Sequence, residues 1–463
     1  MADGSSPAAI TDDDLESLRG ALEGDALVSG DSAWDAGRQA WNLIAQQDPA
    51  LIVHAESAAD VAATVAFARE HDLRVAPQST GHGAAPMPDL GGAVLLRTGR
   101  MASVSIDPDA QLATVGAGAK WSDVVGPAAE HGLAALHGSS GTVGVAGYTV
   151  SGGLGWLARS RGFACNSVRG MEVVTADGEI RRVDADSDLD LFWALRGGGG
   201  THAIVTSFDH GLVEMREAFA GSMMWPIERA REISQAWREW TAAAPDELSA
   251  TLKLIRFPPF PQVPDPLRGR ALVAITFVYA GDAADGEELL APIRALGEPY
   301  LEHVDTVPAP ALGSLAGDPE DPVPGGGAGF LLETLDEDAI DAYVEIAGPD
   351  TDVPLIHLEL RRLGGALDRS DPAHGALDVA GADYLLYGVG AVMSPEVGEA
   401  IKALFSRVEE RMSPWTAEHG LLAFAEQRPD LRSCFPAAVA ERLERIKAER
   451  DPDGLILANH SDA

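Results

Sequence analysis

A two-domain α+β protein is the fold class this sequence predicts, and three observations predict it. The 463 residues exceed what one hydrophobic core usually organises. A strand–helix–strand unit near residue 50 is followed by segments that alternate apolar and polar residues with period two, the mark of sheet. Past about residue 218 the character changes, as glycine loops give way to long strands and proline-rich connections.

The first unit reads as strand LIVHA, a helix from Ser57 to His71, and strand LRVAP. Ser57 is placed to cap the helix, Asp60 completes an acidic cap-like pair, and Val61, Val65 and Phe67 supply its apolar face. Strand-like segments AVLLRT, ASVSID and QLATVGAGA follow, and the pair MEVVTADGEIRRV turns on Asp177-Gly178, a strong hairpin signal. DLDLFWALR is helical up to four glycines at 197–200, and AIVTSFDHGL is the next strand. A helix from Ile227 to Ala244 opens the second part, with strands ATLKLIRF, ALVAITFVYA and LIHLELRRL and proline-rich connections at 257–266 and 307–324. A last helix stops at Asp451-Pro452 before a short extended tail. The expected division is an N-terminal helical segment over 1–45, a first domain over 46–218, a second over 219–435, and a C-terminal segment, 436–463, that returns to the first.

Composition narrows the function. Acidic residues outnumber basic ones 71 to 34, spread along the whole chain, so nucleic acid and anionic membrane are poor partners. The N-terminus has neither a basic segment nor an apolar run, and no stretch reaches the roughly 18 apolar residues of a membrane span, so a cytoplasmic protein is expected. Cys165 and Cys434 stand far apart and in no metal-ligand spacing, which predicts two buried thiols, no disulfide framework and no metal site.

Two stretches carry the chemistry: QSTGHGAAP at 78–86 and GSSGTVGVAGYTVSGGLGW at 138–156. Gripping a dinucleotide diphosphate takes several converging backbone N–H donors, and small residues let main chain approach that closely. Neither stretch is the G-x-G-x-x-G fingerprint set between a strand and its helix. His82 lies between Gly81 and Gly83, inside the first of them.

With these segments in place, the chain resembles the FAD-linked oxidases of the vanillyl-alcohol-oxidase, PCMH-type superfamily, specifically the bacterial members similar to berberine bridge enzyme. The resemblance covers nearly the whole chain, from ALIVHAESAADVAATVAFAREHDLRVAPQSTGHG through VGAGAKWSDV, HGSSGTVGVAGYTVSGGLGWLARSRGFACNSV, MEVVTADGEIRRV and DLFWALRGGGG to LELRRLGGAL and DPDGLILANH. It implies a PCMH-type FAD-binding domain and a substrate domain whose antiparallel sheet is backed by helices. It also implies FAD bonded through its 8α-methyl carbon to His82, a neutral imidazole being a good nucleophile. Some relatives add a second link through a cysteine just before the threonine of the second loop. Ser140-Gly141-Thr142 stands there, so a single attachment is expected. From the first loop the resemblance assigns cofactor contacts to Gln78, Ser79, Thr80, Gly81 and Gly83. From the second it assigns Ser140, Gly141, Thr142, Val143, Gly144 and Gly147, and from the turn that follows Gly152, Gly153 and Gly155. Asn166, Val205 and Asn459 complete the set, Asn166 either contacting the cofactor or fixing its loop. Cys165 is expected to be packing, and His202, in a departure from the family's usual Asn-Phe-Gly, a satisfied core or loop histidine.

On the substrate side relatives often place a tyrosine and an asparagine just before Phe-Ala-Glu. Here Leu421 and Ala423 replace them, while Phe424, Ala425 and Glu426 persist. Candidates for the catalytic base are therefore Tyr384, Tyr387 and Glu426. The two tyrosines, three apart on one strand, should point to opposite faces, so only one can face the flavin. The implied activity is oxidation of a small alcohol, sugar, aromatic or polyketide by hydride transfer to flavin N5, with oxygen as acceptor. A dehydrogenase using another acceptor, or a flavin carrier without turnover, are the alternatives.

Overall fold

The computed structural model describes residues 10–426 and 430–460. Its first layer is a four-stranded sheet in the order Asp25–Leu27, Leu51–His54, Ala93–Arg97, Arg74–Gln78. The helix Ala58–Glu70 connects Leu51–His54 to Arg74–Gln78, and both strands run parallel to Ala93–Arg97, which lies between them. The expected strand–helix–strand unit is therefore split by a third strand. The carboxyl ends of the three parallel strands share one edge, where ligands characteristically bind in such sheets.

Ser57 caps the helix as expected, accepting from Asp60 N at 3.2 Å. Asp60 does more than complete the cap. It is 1% exposed and accepts from the backbone N–H of Glu56 (2.8 Å), Glu23 (2.8 Å) and Gly24 (3.0 Å). One buried carboxylate thus ties the helix to the N-terminal segment. That segment holds the expected helix, Asp12–Ala21, but also the strand Asp25–Leu27, which is an edge of the first sheet rather than part of a helical appendage.

A second sheet is wholly antiparallel, in the order Val104–Asp107, Leu112–Gly116, Ile204–Gly211, Val168–Val174, Ile180–Asp184. Its last two strands form the hairpin turning at Gly178, whose φ of +86° requires glycine.

The third sheet has seven antiparallel strands, in the order Leu301–Pro308, Glu217–Pro226, Ala271–Tyr279, Leu248–Arg256, His357–Arg362, Tyr384–Ala391, Gly325–Leu332. Leu252, Leu254, Ile275, Leu358, Leu360 and Leu386 point to one face, packing with Trp237, Tyr343, Leu404 and Phe405 of the helices Ala230–Ala242, Glu337–Ala347 and Pro395–Met412. The opposite face looks toward the first two sheets.

The chain ends by returning to where it began. After the helix Ala437–Arg450, Val75 N donates to Leu455 O and Leu457 N to Val75 O, both at 2.8 Å, so the tail extends the first sheet beside Arg74–Gln78. Asp451 accepts from Leu455 N and Ile456 N at 2.8 Å each and pairs with Lys447, which fixes the turn into the tail.

Replacing Asp60 by Ala leaves three backbone N–H donors, each in a part-buried bond, without their acceptor. It is expected to cost about 3 kcal/mol of stability in urea unfolding, with Asn recovering part of the loss.

Candidate active site

The first glycine stretch follows the strand Arg74–Gln78 at the carboxyl edge of the parallel sheet. Gly81 has φ +84°, and a Cβ there would meet Ala40 Cβ at 2.8 Å, so only glycine lets the loop fold down at this point. Among the described residues, the N–H groups of Thr80, Gly81, His82 and Gly83 have no backbone acceptor. Consecutive unpaired amides of this kind form an anion-binding concavity.

His82 is oriented from three sides. Thr80 Oγ1 lies 2.8 Å from its Nδ1, and Thr142 Oγ1, from the second stretch, 3.4 Å from its Nε2. The indole of Trp41 stacks on the imidazole with centroids 3.9 Å apart and planes 13° from parallel. Burial, with Lys120 nearby, lowers the His82 pKa to about 4, so the ring is neutral at physiological pH.

The second stretch closes over the first. Ser140 Oγ is 2.9 Å from Thr142 Oγ1, Gly141 N donates to Gly313 O at 3.2 Å, and Val143 O accepts from Trp121 N at 3.1 Å. A Cβ on Gly144 would lie 2.7 Å from Ser79 Oγ, so the two stretches touch here. Gly144 caps the short helix Val145–Val150, which contains Gly147. Gly152 and Gly153 then turn the chain at φ +113° and +78°, and a Cβ at Gly155 would strike His137 O at 1.9 Å. Val205 packs beside Val150 and Ala146 of that helix. Asn459, from the tail, donates to Gly83 O at 3.0 Å. Beside it His460 is 8% exposed, yet neither ring nitrogen has a partner among the described residues.

The structure directs the Gln78 side chain away from the loop and narrows the two readings of Asn166 to one. The Gln78 side chain turns inward to Gln47, at 2.8 Å, and Arg97, so it supports the loop from below. Asn166 spends its amide on the second domain, donating to Leu377 O at 3.0 Å and accepting from Gly375 N at 2.8 Å, which is the loop-fixing role rather than cofactor contact. Cys165 is fully buried and unpaired, its thiol pushed up to about 12 by burial, and His202 is a core residue whose Nε2 lies 3.1 Å from Leu443 O.

Facing these loops is the helix-free side of the seven-stranded sheet. Alternation along the strand His357–Arg362 puts His357, Glu359 and Arg361 on this side and Leu358 and Leu360 on the other. Glu359 accepts from Arg361 at 2.8 and 3.0 Å and lies 3.1 Å from Lys253. Burial works to raise its pKa, but Arg361, Lys253 and His357 outweigh that and hold it at about 2. Next to it Tyr387 Oη donates to Glu426 Oε1 at 3.0 Å. Burial raises both pKa values, and the Glu426 charge raises that of the phenol further.

Tyr384 is a correction to the candidate set. It lies on the helix-backed face, 6.0 Å from the Trp237 ring, with the Arg362 guanidinium 4.8 Å above it, out of reach of the loops. The opposite-face expectation holds and selects Tyr387.

Glycine on the neighbouring strand makes room for the pair. A Cβ at Gly329 would meet Phe424 Cβ at 2.7 Å, and one at Gly327 would crowd Glu426 and Tyr387 at 3.4 Å. Asp318, held by Ser139 Oγ at 2.7 Å, is close enough to influence His82, His357 and Tyr387 electrostatically, which places the loop and the sheet wall around one space. Sequence reasoning missed Trp41, Asp318, Lys253 and Glu359. A lysine and a glutamate in otherwise apolar strands were the available signal for the last two; Trp41 and Asp318 carried none.

The residues fit FAD: unpaired amides suit a diphosphate, the imidazole is neutral and held, and His460 offers unpartnered nitrogens at the same loop. Residues 49–184 match the family model for the FAD binding domain. Over 205 residues the chain is 34% identical to (R)-6-hydroxynicotine oxidase of Paenarthrobacter nicotinovorans, covering 44% of this chain and 45% of that one. Over 301 residues it is 27% identical to the FAD-linked oxidoreductase pgmH of Aspergillus terreus, covering 63% and 59%. The chain thus spans about half the length of these curated relatives. The structure superposes on glucooligosaccharide oxidase from Acremonium strictum, described with a 6-S-cysteinyl, 8α-N1-histidyl FAD, at a TM-score of 0.82 and 22% identity over 96% of this chain and 98% of that one. Fold and site together define a flavoprotein of PCMH-type architecture. More particularly, residues 49–184 carry the match to an FAD binding domain, and the relatives that the chain resembles include FAD-linked oxidoreductases.

His82, His202, His210, His357 and His460 all have pKa values lowered by burial from 6.5 to about 4. Their folded values lie below the unfolded one, so the folded state binds fewer protons in between. The stability they contribute is present above pH 6.5 and is lost as pH falls through 4. Calorimetry should show the melting temperature dropping across that window; a flat profile contradicts the assignment.

Proposed function

We propose that this protein is an FAD-dependent oxidoreductase that holds FAD by a single covalent bond to His82. It oxidises a small organic substrate, an alcohol, sugar, or aromatic or polyketide product, with oxygen as acceptor. The observation that carries this is the neutral His82 imidazole, fixed by Trp41, Thr80 and Thr142 at a loop of unpaired amides. Bound FAD supplies the hydride acceptor.

The chain's own groups do the rest. Thr80 and Thr142 set the direction of the imidazole lone pair, and Trp41 covers one ring face. Ser140 stands where a second thiol attachment would be, and Cys165 is buried elsewhere, which supports a single link. Across the space, Glu426 is the proton acceptor, acting through Tyr387: a substrate hydroxyl gives its proton to Tyr387 Oη as that oxygen passes its own to Glu426 Oε1. Raised pKa brings a carboxylate closer to the strength a general base needs near neutrality. Lys253, Glu359 and Arg361 form the polar wall against which the rest of the substrate lies.

No helix among the described residues is long and apolar enough to cross a membrane. Two unpaired, buried cysteines are compatible with a reducing cytoplasm.

Acid-precipitated, washed protein from a riboflavin-replete host is expected to stay yellow, and His82→Ala to release its flavin or come down colourless. A colourless wild type that never carried the pigment ends the proposal. Screened alcohols, sugars and polyketides should bleach the flavin anaerobically, and Tyr387→Phe should slow that reduction by about 10²-fold. If nothing bleaches it, the protein is a carrier. Slow recovery of colour in air points to an acceptor other than oxygen.

A further inference from the structure

A half-buried cation, Arg97, lies under the first loop. Arg97 ends its strand in register with Gln78 on one side and His54 on the other. Its guanidinium donates to Gln78 Oε1, and the same amide group is locked by Gln47 at 2.8 and 3.3 Å. A Cβ on Gly81 would come within 2.9 Å of that Gln78 oxygen, so the guanidinium sits immediately below the loop whose amides are unpaired.

The buried Arg159 and Arg196 and the half-buried Arg256 are completed in a different way. Arg159 donates to the carbonyl oxygens of Leu248, Leu363, Ala244 and Pro245. Arg256 donates to those of Ala347, Gly348 and Thr351, and Arg196 to those of Phe192 and Ala373. Arg97 has one side-chain acceptor for a whole fork of donors and, among the described residues, no carboxylate offsetting its charge. Burial alone pulls its pKa down to about 10. A guanidinium drawn partly out of water with one acceptor and no paired carboxylate is a ready partner for an anion.

We propose that Arg97 is the electrostatic anchor for the cofactor's diphosphate, its charge acting through Gln78 and the Thr80–Gly83 amides. This rests on the FAD reading above. Arg97 is a positioning residue here: it stabilises the loop in the anion-binding shape and supplies positive potential beneath it, without contributing to the redox step.

The test uses full-length His82→Ala protein freed of flavin and titrated with FAD by flavin fluorescence. Adding Arg97→Gln is expected to raise Kd about tenfold or more, and Arg97→Lys to recover most of the loss. A purely structural arginine would lower Tm in Arg97→Gln and leave Kd where it was; that result overturns the proposal. A second arm needs no Arg97 variant: inorganic pyrophosphate alone should raise the Tm of the flavin-free protein, less so as salt increases. No rise overturns the proposal even if Arg97→Gln does not fold. Failure of the FAD reading is distinct: pyrophosphate still stabilises the protein while FAD binds no more tightly than pyrophosphate does.

Discussion

Everything at the site depends on keeping one imidazole dry, neutral and pointed. His82 lies in a loop, and loops on their own are mobile. What immobilises this one is a knot of three remote segments. Trp41 N donates to Thr80 O at 2.9 Å, Asn42 N to Gly81 O at 3.3 Å, and Leu43 N to Val323 O at 3.0 Å. The Asn42 side chain exchanges hydrogen bonds with Gly325 at 2.9 and 3.2 Å. The N-terminal segment, the cofactor loop and the second domain are thereby fastened at one place, and the indole that excludes water from His82 is seated by the same bonds.

The seven-stranded sheet solves a related problem. A sheet buried on both faces would ordinarily be apolar on both. Here one face is, against its helices, while the other carries Lys253, Glu359, Arg361, Tyr387 and His357 with little access to water. Buried charge of this kind adds little to stability compared with a well-packed apolar surface, and is tolerated when fully paired. It lies on the wall that faces the His82 loop, and the glycines of Gly325–Leu332 let the 421–426 loop lie close against that wall.

Much of this was legible beforehand, and what was legible had local causes. The capped helix, the Asp177-Gly178 hairpin and the strands of the second domain all follow from neighbours in sequence. The period-two rule separated Tyr384 from Tyr387 without any structure. What stayed hidden is long-range. The interposed strand Ala93–Arg97 is a matter of sheet order, which no local pattern encodes. Trp41 meets His82 across forty residues of chain, and the inward turn of Gln78 depends on Gln47 and Arg97, both on other segments.

The docking of Leu455–Leu457 beside Val75 bears on biosynthesis. The strand that completes the first layer is made only after the whole second domain, and so is Asn459, which reaches Gly83. The first domain in sequence is consequently closed only once the second has been synthesised. Closure around the histidine loop therefore waits for the second domain, and loss of residues 455–459 leaves an open seam beside it.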